Sequence, residues 1–305
     1  MASRDVATSL RGRLLFPLFS AFHGSFVMLP GAFALALKFG WVTDERFESW
    51  RAWAALPDVW LFTLGTVGSI YATLLISSLA FLAARGAAPF RKYVIQCERD
   101  SDPLSMEFKL GLGVKLVTGT VKSVLLYLIL PEMLSVKLPS APHFAVQFAA
   151  IWFTWETAFY WWHRMEHTPW LYARVHKYHH EIRVPTGFHV VQQTVWSDLF
   201  LFSFRVLAFK LLLPAVFGDV HVLTFWLWGI VMMYDGVQTH GGLYLPWLPQ
   251  ATRRWFGGAL RHEFHHDQNK GIYGWNLTFW DTVMGTDAAY QEFERQFFHR
   301  AAKGR

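Results

Sequence analysis

The chain is poor in cysteine and in charge. Cys97 is the single cysteine among 305 residues, which excludes an internal disulfide and a cysteine-based zinc site. Any transition metal here must be held by imidazole and oxygen. Charged residues make up 16% of the sequence, against about 25% in soluble domains. No basic run is interleaved with aromatics, so the net charge of +6 is not read as a nucleic-acid surface. Attraction to an anionic membrane leaflet fits it better. No Gly-x-Gly-x2-Gly opens a helix after a strand, so no flavin or nicotinamide fingerprint is present, and no fused cytochrome domain is evident. Repeats, low-complexity tracts and strand patterns are lacking too.

What the chain has instead is apolar surface. It is 53% hydrophobic and 18% aromatic, with sixteen tryptophans and ten tyrosines that suit an interfacial belt. A spanning helix needs about 20 mostly apolar residues. Residues 14–40, 59–83, 110–131 and 143–162 qualify, the third interrupted by Lys115 and Lys122 on one helical face and the fourth by Glu156. A further apolar pair, 199–217 and 219–234, turns at Pro214 and Gly218, and it either crosses or forms a shallow hairpin. The expectation is an all-α polytopic membrane protein with about four transmembrane helices plus that hairpin. Its expected regions are an N-terminal transmembrane region at 1–142, a histidine-bearing catalytic region at 143–290 and a charged tail at 291–305.

Loop charge orients the spans. Arg4, Arg11 and Arg13 precede the first, and Arg85, Arg91 and Lys92 follow the second. The loop between them carries Asp44, Glu45, Glu48 and Asp58 against Arg46 and Arg51. The N-terminus and the loop after residue 85 are therefore expected in the cytosol, and every histidine group falls on that face. The membrane would be the endoplasmic reticulum in a eukaryote or the cytoplasmic membrane in a bacterium.

Nine histidines form four groups: His163 and His167; His176, His179 and His180; His240 before Gly241-Gly242; and His262, His265 and His266. Positions i, i+3 and i+4 share a helix face, so each group is expected to aim all its imidazoles at one point. Nine ligands exceed what one ion takes, which implies two metals. The lone His23, His143, His221 and His299 are read as hydrogen-bonded core or interface residues. Glu156 and Asp235 are expected to accept the second N–H of metal-bound imidazoles.

These groups resemble the fatty acid hydroxylase / sterol desaturase superfamily of membrane di-iron oxygenases. The resemblance covers roughly residues 88 to 290. It rests on Arg91-Lys92-Tyr93-Val94-Ile95-Gln96, Glu156-Thr157-x2-Tyr160-x2-His163-Arg164-x2-His167, and Pro169-Trp170-Leu171-Tyr172. It continues in His176-Lys177-x-His179-His180-Glu181, Pro185-x-Gly187, Arg261-His262-Glu263-Phe264-His265-His266, and Trp280-Asp281-x3-Gly285-Thr286. The motif forms look most like the C-4 methylsterol oxidases, with the cholesterol 25-hydroxylases next. Two positions depart from the pattern: Thr194 stands where relatives often carry a histidine, and so does Arg261. His189 is a candidate extra ligand, five residues upstream of Thr194.

The resemblance implies O2-dependent oxidation of an unactivated C–H bond in a lipid, a sterol first. Fatty acyl, sphingoid and amino-acid lipids are alternatives, and spacing does not decide between hydroxylation and desaturation. It implies two iron ions, with zinc able to replace them on overexpression. Electrons would come from NAD(P)H through a separate donor, cytochrome b5 or a ferredoxin with its reductase, docked on the basic face. Phe159, Trp161 and Trp162 are candidates for the lipid slot. A metal transporter is a weaker reading, because transport sites lie near the midplane on broken helices. A zinc hydrolase is weaker too, because His163 to His167 lacks the His-Glu-x2-His order.

Overall fold

The structure is a computed structural model that describes residues 28–95, 106–181, 185–244 and 255–303. Residues 14–27 of the first expected span lie outside the described residues, as do Arg4, Arg11, Arg13, His23, Gln96 and Cys97 and the side chains of Lys92 and His299. The described residues are mostly helical; their only β pairing is two isolated bridges, Val94 with Leu243 and Phe256 with Leu277.

Eleven helices follow in order among the described residues. Helix α1 (Met28–Lys38) is short and apolar. Helix α2 (Asp44–Ala54) starts at Thr43, whose hydroxyl accepts from the Arg46 N–H. Helix α3 (Asp58–Gly86) runs 29 residues because no charge or proline interrupts it between Val59 and Ala83. Helix α4 (Met106–Ile129) returns, and α5 (Ala141–Glu166) starts on a Ser140 cap. Helix α6 (residues 169–180) opens on Pro169 and contains a π turn at Tyr172–His176. Helix α7 (Val195–Phe217) also holds a π turn, Ala208–Leu212, just before Pro214, which has no N–H to continue the regular ladder. Gly218, at φ +74°, makes the turn into α8 (Val222–His240). Helices α9 (Ala259–Gln268), α10 (Phe279–Val283) and α11 (Ala288–Lys303) complete the chain.

Among the described residues three helices are long and apolar enough to cross a membrane: α3, the Gly111–Ile129 part of α4, and α7. Each leaves apolar side chains uncovered, such as Leu75 and Leu79, Val117 and Leu128, and Leu211 and Val216. The segment expected to span at 143–162 is one helix, but Gln147, Glu156 and its indoles leave it less apolar than these three. The 219–234 arm is not a lipid-facing hairpin strand of helix. It is the interior of α8, packed against α3, α5 and α9 and buried along most of its length.

One core cluster joins Phe62, Leu126, Phe148, Trp155, Phe225 and Trp228 across α3, α4, α5 and α8. A second, around Leu74, Phe81, Phe188 and Val237, seats the 187–191 turn on α3 and α8. The expected charged tail is largely helix α11, whose Tyr290 meets Phe264 of α9 edge-on and whose Phe293 lies tilted against it. The fold thus delivers the C-terminal ends of α5 and α8, and the short helices α6 and α9, to one end of the bundle. Arg85, at the end of α3, reaches the Pro185 carbonyl at that same end.

Candidate metal centre

The nine grouped histidines meet there. They form two sets: His163, His167, His176, His180 and His265, and His179, His240, His262 and His266. Within each set the ligand atoms lie within 4.8 Å of one another. All are buried except His167 and His262, which are partly so.

The partition corrects one expectation. The motifs do not each converge on one point; two of them split. His176 and His180 face the first set while His179 faces the second, and His262 and His266 face the second while His265 faces the first. Helical geometry explains it. At about 3.6 residues per turn, positions i and i+4 differ by roughly 40° and positions i+3 and i+4 by roughly 100°. The i, i+4 pair therefore shares a direction, and the i+3 histidine turns to the neighbouring set. Imidazoles of the two sets consequently lie side by side, with ring centroids 5.2 Å apart for His176 and His179 and 4.6 Å apart for His180 and His266.

In six of the nine rings the nitrogen turned away from the set is fixed. Nδ1 of His163 donates to the Tyr273 carbonyl at 2.9 Å, that of His167 to Asn269 at 3.1 Å and that of His265 to Gly271 at 2.6 Å. Nδ1 of His179 donates to Gln192 at 3.0 Å and that of His240 to Gly236 at 2.8 Å. Nδ1 of His176 faces the Glu166 carboxylate at 3.3 Å, and Ser197 donates to the other oxygen of that carboxylate. Burial pushes the Glu166 carboxyl up to about 7. Burial likewise lowers His179 and His265 to about 4, so these imidazoles are neutral and available as ligands at physiological pH.

The donor set fits metal ions. With Nδ1 protonated, Nε2 carries a lone pair. Nε2 of His163 lies 2.9 Å from Nε2 of His176, and Nε2 of His240 lies 2.9 Å from Nε2 of His262. Facing lone pairs at that distance repel unless a cation lies between them. Ligands about 2.1 Å from an ion and at right angles would be roughly 3.0 Å apart. Nε2 of His167 and of His265, and both ring nitrogens of His180, are buried without a hydrogen-bond partner. Such orphaned atoms call for an unseen partner.

Glu156 and Asp235 do not reach an imidazole in the described contacts, which corrects their expected role. Glu156 accepts from the backbone N–H groups of Asn276 and Leu277 and from the Trp152 indole. Asp235 accepts from the Asn276 side chain at 3.0 Å. Both fasten one end of the loop that carries Asn269, Gly271 and Tyr273. Asp281 fastens the other side, accepting from the N–H groups of Tyr273 and Gly274, and Arg261 pairs with it at 3.2 Å. Arg261 is therefore a buried support of the loop. Thr194 caps α7, accepting from the Ser197 N–H. His189 belongs to neither set: its Nδ1 accepts from the Thr186 N–H at 2.8 Å. Glu166 is the partner that spacing arguments missed, although its place beside His167 was visible.

A void lined by His163, His176, His179, His240 and His262 lies between the two sets, and Phe159 and Trp162 border it. Trp161 does not; it is 44% exposed and packs on Trp280. Gln193, Leu201 and Trp275 line both this void and a larger cavity of about 180 Å³ among α3, α4, α7 and α8.

Comparison with known proteins gives concordant matches. The fatty acid hydroxylase family matches residues 148–286. Methylsterol monooxygenase 1-1 of Arabidopsis thaliana is 30% identical over 135 residues, covering 43% of this chain and 43% of the relative. Very-long-chain aldehyde decarbonylase GL1-8 of Oryza sativa subsp. indica is 33% identical over 157 residues, or 50% of this chain and 56% of the relative. The chain thus spans about half the length of these relatives. Its match to decarbonylase GL1-11 of Oryza sativa subsp. japonica is longer, 30% identical over 225 residues, covering 71% of the chain and 82% of the relative. No solved structure is significantly similar to it.

Proposed function

Given that this chain belongs to the fatty acid hydroxylase family, we propose that it is a membrane-bound, di-iron, O2-dependent oxidoreductase acting on a C–H bond of a lipid. The observation that carries this reading is the pairing of two all-imidazole sets with a largely apolar cavity that shares three lining residues with the void between them. We assign His163, His167, His176, His180 and His265 to one ion and His179, His240, His262 and His266 to the other.

Iron held by these two imidazole sets would supply the reduction of O2; in a hydroxylation one oxygen atom would enter the product and the other leave as water, at the expense of two electrons and two protons. The protein's own contribution is position and dryness. The carbonyls of Asn269, Gly271 and Tyr273 hold three rings in orientation, Glu166 holds a fourth, and Phe159, Trp162 and Trp275 keep bulk water from the void. The chain carries no cofactor-binding motif for electron supply, so the donor is a separate protein, a cytochrome b5 or ferredoxin, reduced from NAD(P)H. The loop charges favour a cytosolic placement of the centre. The names of the relatives point to a methylsterol or a very-long-chain aldehyde, and a sterol is the first neutral substrate to try.

The test is lipid profiling of cells that express the chain with an electron donor, with and without added sterol. Products one oxygen heavier or two hydrogens lighter are expected, together with two iron ions per chain. His179→Ala should abolish the product; product formation by that variant would refute the metal assignment. Zinc bound without O2-dependent product would favour the hydrolase reading.

A further inference from the structure

The cavity beside the metal centre is walled by apolar side chains, among them Leu126, Phe202, Phe225 and Met232, yet it is strongly charged on one side. Lys115 and Lys122 of α4 and Arg205 of α7 share this lining with a single carboxylate, Asp198. Lys115 Nζ lies 2.5 Å from Asp198 and Lys122 Nζ 3.5 Å. Three cations against one anion leave an excess of two positive charges in a cavity between membrane-crossing helices.

Cations at that depth need a partner. Arg205 makes no side-chain hydrogen bond or close ion pair among the described residues: its Nε is buried without a hydrogen bond, and its guanidinium lies over the buried Trp155 ring at 5.2 Å. Ser123, 3% exposed on the same wall, also has a buried hydroxyl without a partner. Snorkelling toward lipid headgroups does not explain this, because the lysines turn inward to Asp198 and the arginine inward to Trp155. A neutral sterol would leave the excess charge uncompensated.

We propose that this cavity binds the acidic headgroup of an amphiphilic lipid, a carboxylate or a phosphate, and that the substrate is an anionic lipid. Arg205 and Lys122 would hold the headgroup, Ser123 would donate to it, and the chain would lie along the aromatic wall. Gln193, Leu201 and Trp275 separate this site from the imidazoles, so a lipid held there lies next to the metal centre. The assignment of this lipid as substrate rests on the oxygenase reading; the anion site itself does not.

The experiment uses the full chain in phosphatidylcholine nanodiscs at neutral pH. Quenching of cavity tryptophans by dibromostearic acid is compared with quenching by the matching dibromo alcohol. Free lysophosphatidic acid and oleate serve as competitors. A preference for the acid of about tenfold or more is expected, the scale of one hydrogen bond to a charged group. Arg205→Gln should erase the preference without changing alcohol binding or iron content, and Arg205→Lys should keep most of it. Lys122→Gln, scored the same way, serves if Arg205→Gln fails to fold by circular dichroism. Stronger competition by oleate assigns a carboxylate lipid, and by lysophosphatidic acid a phosphate lipid; either supports the site. Equal binding of acid and alcohol, competition by added cholesterol alone, or loss of the preference when phosphatidylglycerol is included would overturn it. The last result would mean that the cations only hold bulk lipid. Binding requires no turnover, so absence of any O2-dependent product sinks the oxygenase reading and leaves this result standing.

Discussion

At the scale of single residues, the centre depends on which nitrogen of each ring is free. In six of the nine rings carbonyls and Glu166 occupy Nδ1, and this leaves Nε2 free for an ion. At pH 8, above the raised Glu166 value of about 7, Glu166→Gln keeps the shape but replaces a charged acceptor of the His176 N–H, and outer partners of this kind are worth about 10–100-fold in metal affinity. Competition against a chelator should show a loss of that size, with the helical content unchanged. An unchanged affinity would mean that Glu166 serves only Ser197. His189→Ala, by contrast, should leave both ions bound, since its ring is committed to Thr186; elemental analysis checks this.

At the scale of elements, close approach between helices decides whether His240 reaches its set. A side chain added at Gly241 would meet the Phe81 ring of α3 at 2.3 Å. Gly241→Ala should therefore destabilise the chain by about 1–3 kcal/mol, the usual cost of overpacking, measured as a lower midpoint of thermal unfolding. Phe81→Leu in the same chain should restore part of it. The loop from Asn269 to Leu277 is the other deciding element. It holds Ile272 at φ +59°, rare for a β-branched residue, and presents carbonyls on both sides of it. Glu156→Gln places a donor against the N–H groups of Asn276 and Leu277, so weaker metal retention and lower thermal stability are expected together. Loss of activity with full retention of both would instead indicate direct participation of Glu156 in the chemistry.

At the scale of the whole molecule, the two sets tie α5, α6, α8 and α9 into one end of the bundle. Ions bound by both sets would therefore add to folding stability. Removing the ions with a chelator should lower thermal stability, by about 4 kcal/mol if the free metal had stood a thousandfold above its Kd, and restoring iron should recover it. Supply of electrons is a whole-molecule matter as well. The purified chain in lipid with NADPH and O2 should form no product until a carrier protein and its reductase are added, and product formed by the chain alone would contradict a separate donor.

The amino-acid sequence by itself determined that the protein is helical, that it carries helices able to cross a membrane, and that it belongs with imidazole-based metal proteins. Long uncharged runs fix the first two whatever the packing, and His-x3-His and His-x2-His-His spacings need only a helix to bring ligands together. What only the tertiary structure decided is how the ligands divide. The i+3 histidines cross over because neighbouring helices, not their own motif, supply the rest of each set. Glu156 and Asp235 looked like partners of imidazoles by their distance along a helix, yet they hold a loop that arrives from more than a hundred residues and some forty residues away, respectively. The charges of Lys115, Lys122, Asp198 and Arg205 were legible one by one. That they line one cavity beside the metal centre depends on α4 packing against α7, and no spacing within either helix encodes that contact.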